Sequence, residues 1–110
     1  MAAQDVAIVL MALGDETMRK SVAGGDLKQL GKLQLSKEEA SMVREAAQDL
    51  SADAKAGAKR YDKDSPVIRA AVYAAQGPIS AEIKPKLDDF LRDRFGGDLG
   101  TFRHHNWAYA

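Results

Sequence analysis

Apolar residues recur at helical spacing through most of the chain. The first predicted helix runs from about Gln4 to Leu13. Its inward face carries Val6, Val9, Leu10 and Leu13, widened by Ile8 and Met11. A second helix begins at Asp15, whose carboxylate suits the positive end of a helix dipole. No alternating apolar run is long enough for a strand, so the pattern predicts an all-α protein.

Capping residues divide this pattern into short helices. Gly24 and Gly25 are expected to end the second helix, because glycine takes the left-handed conformation without steric cost. Asp26 then caps a short turn. Ser36 and Glu39 form a capping box that opens a helix reaching about Leu50.

Residues 51–64 form a polar connection, which is predicted to be either an exposed helix or a semi-ordered linker. In the second half of the chain, capping residues again mark the ends of helices. Ser65 and Pro66 open a helix as cap and first residue. A last helix is expected over Lys84–Phe95, followed by the stop Gly96–Gly97, so residues 65–97 are predicted to form a helical hairpin. The prediction is one helical domain, residues 1–97, built as a bundle of about five short helices.

One tetrapeptide, Gly-Gly-Asp-Leu, occurs twice, at Gly24–Leu27 and at Gly96–Leu99. Four residues are too few to indicate a structural repeat. The simpler interpretation is that each is a helix stop followed by an aspartate cap.

Composition narrows the function classes. Sixteen acidic and sixteen basic residues cancel, which gives no electrostatic footprint for nucleic acid or an anionic membrane. The apolar run in the first helix is far shorter than a membrane span. Cysteine is absent, and a cytoplasmic location is expected. The sequence has no phosphate-binding loop, zinc-protease motif or nucleophile elbow, so we expect no cofactor and no enzymatic activity of its own.

Residues 98–110 differ from the rest and are predicted to be a non-helical tail. They hold three of the chain's seven aromatic residues, its only tryptophan and both histidines. Tryptophan, tyrosine and arginine commonly anchor interfaces. The candidate partner-binding or modified residues are therefore Phe102, Arg103, His104, His105, Asn106, Trp107 and Tyr109. The alternative is that Phe102, Trp107 and Tyr109 fold back to complete an alanine-rich core.

The two histidines are also the only candidate metal ligands of their type. His104 and His105 are adjacent, so a helix would not direct both at one ion, and the sequence places no third ligand nearby. A solvated pair in a tail is the simpler interpretation.

Three segments of the first half carry a family resemblance: Asp15–Arg19, Gly25–Leu27 and Leu33–Glu39. Together with the apolar first helix they resemble the small helical domain of the protocatechuate 4,5-dioxygenase α-subunit type and the related nitrogen-fixation-cluster-type leader domains. The likeness covers residues 4–50, so residues 1–50 are identified as a leader-like part.

The resemblance implies two roles. One is a precursor peptide whose helical leader is gripped by a modifying enzyme while its C-terminal segment is the substrate. The other is a small accessory or regulatory subunit of a larger enzyme, with the tail as a docking element. Gly96 and Gly97 would be a candidate leader-cleavage site, although Arg94 stands where an apolar residue is usual. In either role the partner is a protein. A homodimer through the alanine-rich helix Val67–Ala75 is a further prediction.

Overall fold

The computed structural model describes residues 2–56 and 65–103, with side chains for residues 4–51 and 65–103. Within those ranges the chain contains helices and no strand, which confirms the all-α fold class. The helices are α1 Ala2–Ala12, α2 Glu16–Ala23, α3 Lys37–Ala56, α4 Pro66–Gln76, α5 Lys84–Phe95 and α6 Leu99–Arg103, with a 3₁₀ turn at Lys28–Leu30 between α2 and α3.

Helices α1 and α4 form the centre of the bundle. α4 packs against α1, α3 and α6, while α2 lies on α3 and α5 contacts α1 and α6. The inward face predicted for the first helix is confirmed, since Val6, Val9, Leu10 and Leu13 are fully buried. Polar residues of α1 also hold two loops: Gln4 Oε1 accepts from the Ser80 N–H at 2.8 Å, and Asp5 Oδ2 accepts from the Gln34 N–H at 2.7 Å.

The predicted capping box of α3 is confirmed. Ser36 Oγ accepts from the Glu39 N–H at 3.1 Å, and Glu39 Oε1 accepts from the Ser36 N–H at 2.8 Å. Each side chain thereby satisfies a backbone N–H that the first turn of a helix leaves without an intrahelical partner. α3 then runs six residues further than predicted, to Ala56 instead of Leu50. The remaining residues of the polar connection, 57–64, lie outside the described ranges.

The cap of α4 differs from the prediction. Ser65 has the extended conformation of an N-cap residue, but its side chain makes no capping hydrogen bond. The Val67 N–H instead donates to Asp49 Oδ2 of α3, at 3.2 Å. Because this acceptor comes from a different helix, it fixes the start of α4 relative to α3.

The small-residue face of α4 is turned into its own domain. Val67, Ile68, Ala70, Ala71, Ala74 and Ala75 are all buried within this chain, so the face on which a homodimer was predicted is already covered. The main contacts of α4 are with α1, α3 and α6, and those of α5 are with α1 and α6, whereas a hairpin over 65–97 predicts that α4 and α5 pack chiefly on each other. Small side chains let helices approach closely, and here α4 uses them to pack among its own neighbours.

Candidate interaction site and the C-terminal joint

The segment after α5 is folded, where a non-helical tail was predicted. Gly96 ends α5 in the left-handed conformation, with φ of 78°, and its N–H donates to the Arg92 carbonyl at 3.0 Å. Gly97 is buried, and α6 begins two residues later at Leu99. The prediction that everything after residue 97 is non-helical is therefore wrong for Leu99–Arg103. Composition concealed this helix, because it holds a glycine and a threonine in five residues and only one apolar pair.

Asp98 and Asp88 start α6. Asp98 Oδ1 accepts from the Thr101 N–H at 2.8 Å and from the Thr101 hydroxyl at 2.9 Å, and these bonds hold the pKa of Asp98 below its usual range. Asp88 Oδ1 accepts from the Leu99 N–H at 2.8 Å. Arg92 lies 3.4 Å from Asp88 and 3.8 Å from Asp98, so it links the two capping carboxylates.

Phe102 anchors α6 in the core. Its side chain is fully buried and is the largest one that the described residues bury completely. Its ring centroid lies 5.9 Å from that of Phe95, a separation typical of paired aromatic rings. Phe102 was a candidate partner-binding residue, but its position follows the alternative in which it completes the core. A fully buried ring has no surface to offer a partner.

Arg103 ties the end of α6 to the end of α4. Its Nε donates to the Ala75 carbonyl at 2.9 Å, and its own carbonyl accepts from Gln76 Nε2 at 3.4 Å. Arg103, another candidate partner-binding residue, is thus engaged with its own domain. The chain continues beyond Arg103 from a fixed point at the C-terminal end of α4.

The other candidate residues of the tail, His104, His105, Asn106, Trp107 and Tyr109, lie outside the described ranges. The predicted histidine pair is therefore not placed. Across the residues that the structure does describe, no three His, Cys, Asp or Glu side chains come together in a way that could hold a metal ion.

The candidate cleavage pair lies between two anchored helices. Gly96 is the C-cap of α5, and buried Gly97 precedes an aspartate that caps α6. Peptidases cut exposed and locally unfolded chain most readily. Cleavage at this pair would therefore require α6 to leave the core.

A buried carboxylate joins α3 to α4. Glu39 is only 6% exposed, and its Oε2 accepts a short hydrogen bond from the hydroxyl of Tyr73 on α4. This bond, assisted by that from the Ser36 N–H, lowers the pKa of Glu39, and the same bond raises the pKa of Tyr73. Through these bonds the pair connects the capped start of α3 to α4.

A groove lies between the α2–α3 connection and the first turns of α3, and we name it the leucine groove. It consists of two adjoining cavities of about 550 and 360 Å³ that share Gly25, Leu27 and Ala40. Half-buried leucines line it, and basic side chains stand at its edges. The lining leucines are Leu27, Leu33 and Leu35, and the basic residues are Lys28, Lys37 and Arg44.

Sequence reasoning did not find this groove. Between the glycine stop and the capping box at Ser36 the pattern predicts only a short turn capped by Asp26, with no surface assigned to the leucines there. The available signal was the seven-residue spacing of Lys37 and Arg44, which puts both cations on one face of a helix.

Comparison with models of known protein families, with curated proteins and with solved structures finds no match to this chain. Among the described helices, none combines the length and the apolar character needed to cross a lipid bilayer.

Proposed function

We propose that this protein is a non-catalytic helical interaction module that presents its C-terminal segment, residues 104–110, to a partner enzyme as a precursor peptide of a ribosomal natural-product pathway. The helical body is the part that the enzyme grips, and the segment is the substrate. In this role the chain needs no cofactor or metal, and it binds neither nucleic acid nor membrane. The absence of cysteine supports action in the cytoplasm.

The observation that carries this proposal is the anchoring of Arg103. Phe102 is inside the core and Arg103 is bonded to the end of α4, so the body holds the chain up to residue 103. Because the segment is attached to the body at a fixed point, it stays close to an enzyme that is bound to the body. Its effective concentration at that enzyme is therefore raised. This shortens the predicted substrate part from residues 98–110 to residues 104–110.

The chemistry of the segment limits the modification. It contains two histidines, an asparagine, a tryptophan and a tyrosine, but no cysteine, serine or threonine. Thioether and azoline formation need those absent side chains. Backbone methylation, or modification of the imidazole, amide, indole or phenol groups, fits the residues that are present.

The test is intact-mass spectrometry of the full chain after co-production with each enzyme encoded beside its gene. We expect a mass change that fragmentation assigns to residues 104–110. The matched control is a chain ending at Arg103, which should keep the helical circular dichroism signal and gain no mass. An unmodified segment with every neighbouring enzyme would reject the precursor role.

The alternative is a small accessory or regulatory subunit of a larger enzyme, with residues 104–110 as its docking element. The anchoring of Arg103 supports this role as well, because the body holds the chain up to the start of that element. In that case the chain ending at Arg103 stays folded but no longer captures the enzyme, and the full chain captures it without any change of mass. Deletion has to begin at residue 104, because a deletion from Phe102 would also remove a core side chain. If the chain ending at Arg103 unfolds, the segment is part of the core and both roles are rejected.

A further inference from the structure

The leucine groove has an apolar floor that the fold does not cover. Leu27, Leu33 and Leu35 each pack against the core on one side and remain partly exposed on the other. Three half-buried leucines side by side form an apolar strip. Such a strip gives the apolar side chains of a partner a surface to pack against, and protein interfaces commonly surround an apolar centre with a polar rim.

The edges of the groove carry positive charge that the described part of the chain does not neutralise. Lys28, Lys37 and Arg44 are exposed, and none of them forms an ion pair with a described residue. Asp26 is the only acidic residue of the lining, and it already accepts from the Lys28 N–H at 3.0 Å. Two exposed cations elsewhere are paired, since Lys20 lies 3.3 Å from Glu16 and Arg92 lies 3.4 Å from Asp88. Lys86 on α5 is, like the groove cations, exposed and without an ion pair to a described residue.

Two backbone N–H groups beside the floor have no partner in the described part of the chain. The Gln34 N–H donates to Asp5 and the Ser36 N–H to Glu39, whereas the N–H groups of Leu33 and Leu35 have no partner among the described residues. Alternate N–H groups are therefore bonded within the domain, as along one edge of an extended chain. The two that remain are available to the carbonyl oxygens of another extended segment.

We propose that the leucine groove binds an extended segment of a partner protein in which acidic and apolar side chains alternate. Its apolar side chains would rest on the three leucines, and its carboxylates, on the opposite face of the extended segment, would meet the long cationic side chains at the edges of the groove. Lys37 and Arg44 are seven residues apart on α3, about 10 Å along the axis, and carboxylates two residues apart on the segment are about 7 Å apart, a difference that these long side chains can bridge. This proposal is independent of any modification of residues 104–110.

The test uses an acetylated eight-residue peptide of alternating leucine and glutamate, labelled for fluorescence anisotropy, and the full-length protein. A peptide of alternating leucine and lysine is its control. We expect the acidic peptide to bind, the basic peptide to show no binding, and the affinity of the acidic peptide to fall as salt rises. Chemical-shift perturbation on the ¹⁵N-labelled protein should be largest at the amides of Leu33 and Leu35.

Charge reversal makes the test specific for this surface. The double variant Lys37→Glu/Arg44→Glu should weaken binding of the acidic peptide at least tenfold. The matched control is Lys84→Glu/Lys86→Glu, which reverses two exposed lysines on α5 outside the groove and should leave the affinity unchanged. Circular dichroism verifies that both variants remain helical.

The proposal is overturned if the acidic peptide does not bind at millimolar concentration, if both variants lose affinity equally, or if the shifted amides lie elsewhere. It is also overturned if the double variant alone changes the protein's mass measured by light scattering. That result would identify a second copy of this chain as the occupant of the groove.

Discussion

The same four residues, Gly-Gly-Asp-Leu, occur at 24–27 and at 96–99, and the two copies lead to different structures. After the first copy the chain forms a 3₁₀ turn, and Leu27 stays half-exposed in a groove. After the second copy it forms α6, and Leu99 is only 8% exposed. Both copies are helix stops, and in the second the predicted aspartate cap is confirmed, because Asp98 accepts from the Thr101 N–H at the start of α6. In the first copy Asp26 accepts from the Lys28 N–H, but the cap residue of the 3₁₀ turn is Leu27, whose side chain makes no capping bond.

The local geometry of the two stops is not the same. In the first copy Gly25 has φ of 88°, and the Asp26 N–H reaches back to the Ser21 carbonyl at 2.8 Å, as in a Schellman motif. In the second copy Gly96 has φ of 78° and makes a single bond to the Arg92 carbonyl. The larger difference comes three residues after each leucine, where Leu30 only packs against the core from outside and Phe102 enters it. Glycine and aspartate decide where a helix ends, while the next large apolar side chain decides whether the following segment docks.

Phe102→Ala should therefore produce the largest loss. Truncating a fully buried phenylalanine removes its transfer free energy and leaves a cavity, so the free energy of unfolding should fall by about 3–5 kcal/mol. Leu30→Ala, at the equivalent place after the first copy, should cost about 1 kcal/mol, because Leu30 is already partly exposed. Urea denaturation measures both. Equal losses would mean that the two segments are docked equally and that the comparison is mistaken.

The glycines test whether the stops themselves are equivalent. Alanine at Gly25 or Gly96 has to adopt a left-handed conformation, so each substitution should cost about 1–2 kcal/mol. Neither site adds a steric clash, since an added Cβ would meet nothing closer than 4.0 Å at Gly25 and nothing within 4 Å at Gly96. Gly24→Ala is the control: its φ is −86°, and the added Cβ would lie 3.6 Å from two carbonyl oxygens, an ordinary contact. A costly Gly24→Ala would show that strain is not what distinguishes these positions.

Local signals in the sequence were sufficient for most of the helices. The bounds predicted for α5, Lys84–Phe95, are those of the structure, and the capping box at Ser36 is present as predicted. Both depend on residues within one or two turns of each other. The contacts that the sequence did not reveal join residues far apart in the chain. Asp49 caps α4 at Val67, 18 residues further on, and Arg103 donates to a carbonyl 28 residues away.

The candidate site was less predictable for the same reason. Phe102 was grouped with the tail because its neighbours in sequence are polar, and only the packing of α6 on α4 shows that it belongs to the core. The leucine groove lies between two segments, the α2–α3 connection and the first turns of α3. Periodicity within one segment therefore gives no indication that its leucines remain partly uncovered.

Tyr73 tests what holds the segment that follows the first copy. That segment has no buried aromatic of its own, and it ends at the Ser36–Glu39 cap, which Tyr73 connects to α4. Tyr73→Phe keeps the ring but removes the hydroxyl donor to a buried carboxylate. Because Tyr73 is 39% exposed, we expect a loss of about 1 kcal/mol, below the usual value for a hydrogen bond to a fully buried charge. Urea denaturation is again the measurement, and an unchanged midpoint would show that the cap holds this segment without α4.

The smallest effect should come from the two aspartates, Asp98 and Asp26. Asp98→Ala removes an acceptor of two hydrogen bonds from Thr101, whereas Asp26→Ala removes an acceptor of one. The urea midpoint at pH 7 should therefore fall more for Asp98→Ala than for Asp26→Ala, and less for both than for Phe102→Ala.

The pKa of Asp98 is lowered in the folded protein, so its carboxylate binds a proton more readily in the unfolded chain. Its stabilising contribution is complete above the ordinary aspartate pKa of about 3.9 and is lost as the pH falls through the lower folded value. The difference between wild type and Asp98→Ala should accordingly shrink as the pH is lowered from 7 to 3, and a difference that grew on acidification would contradict the bonding described for Asp98.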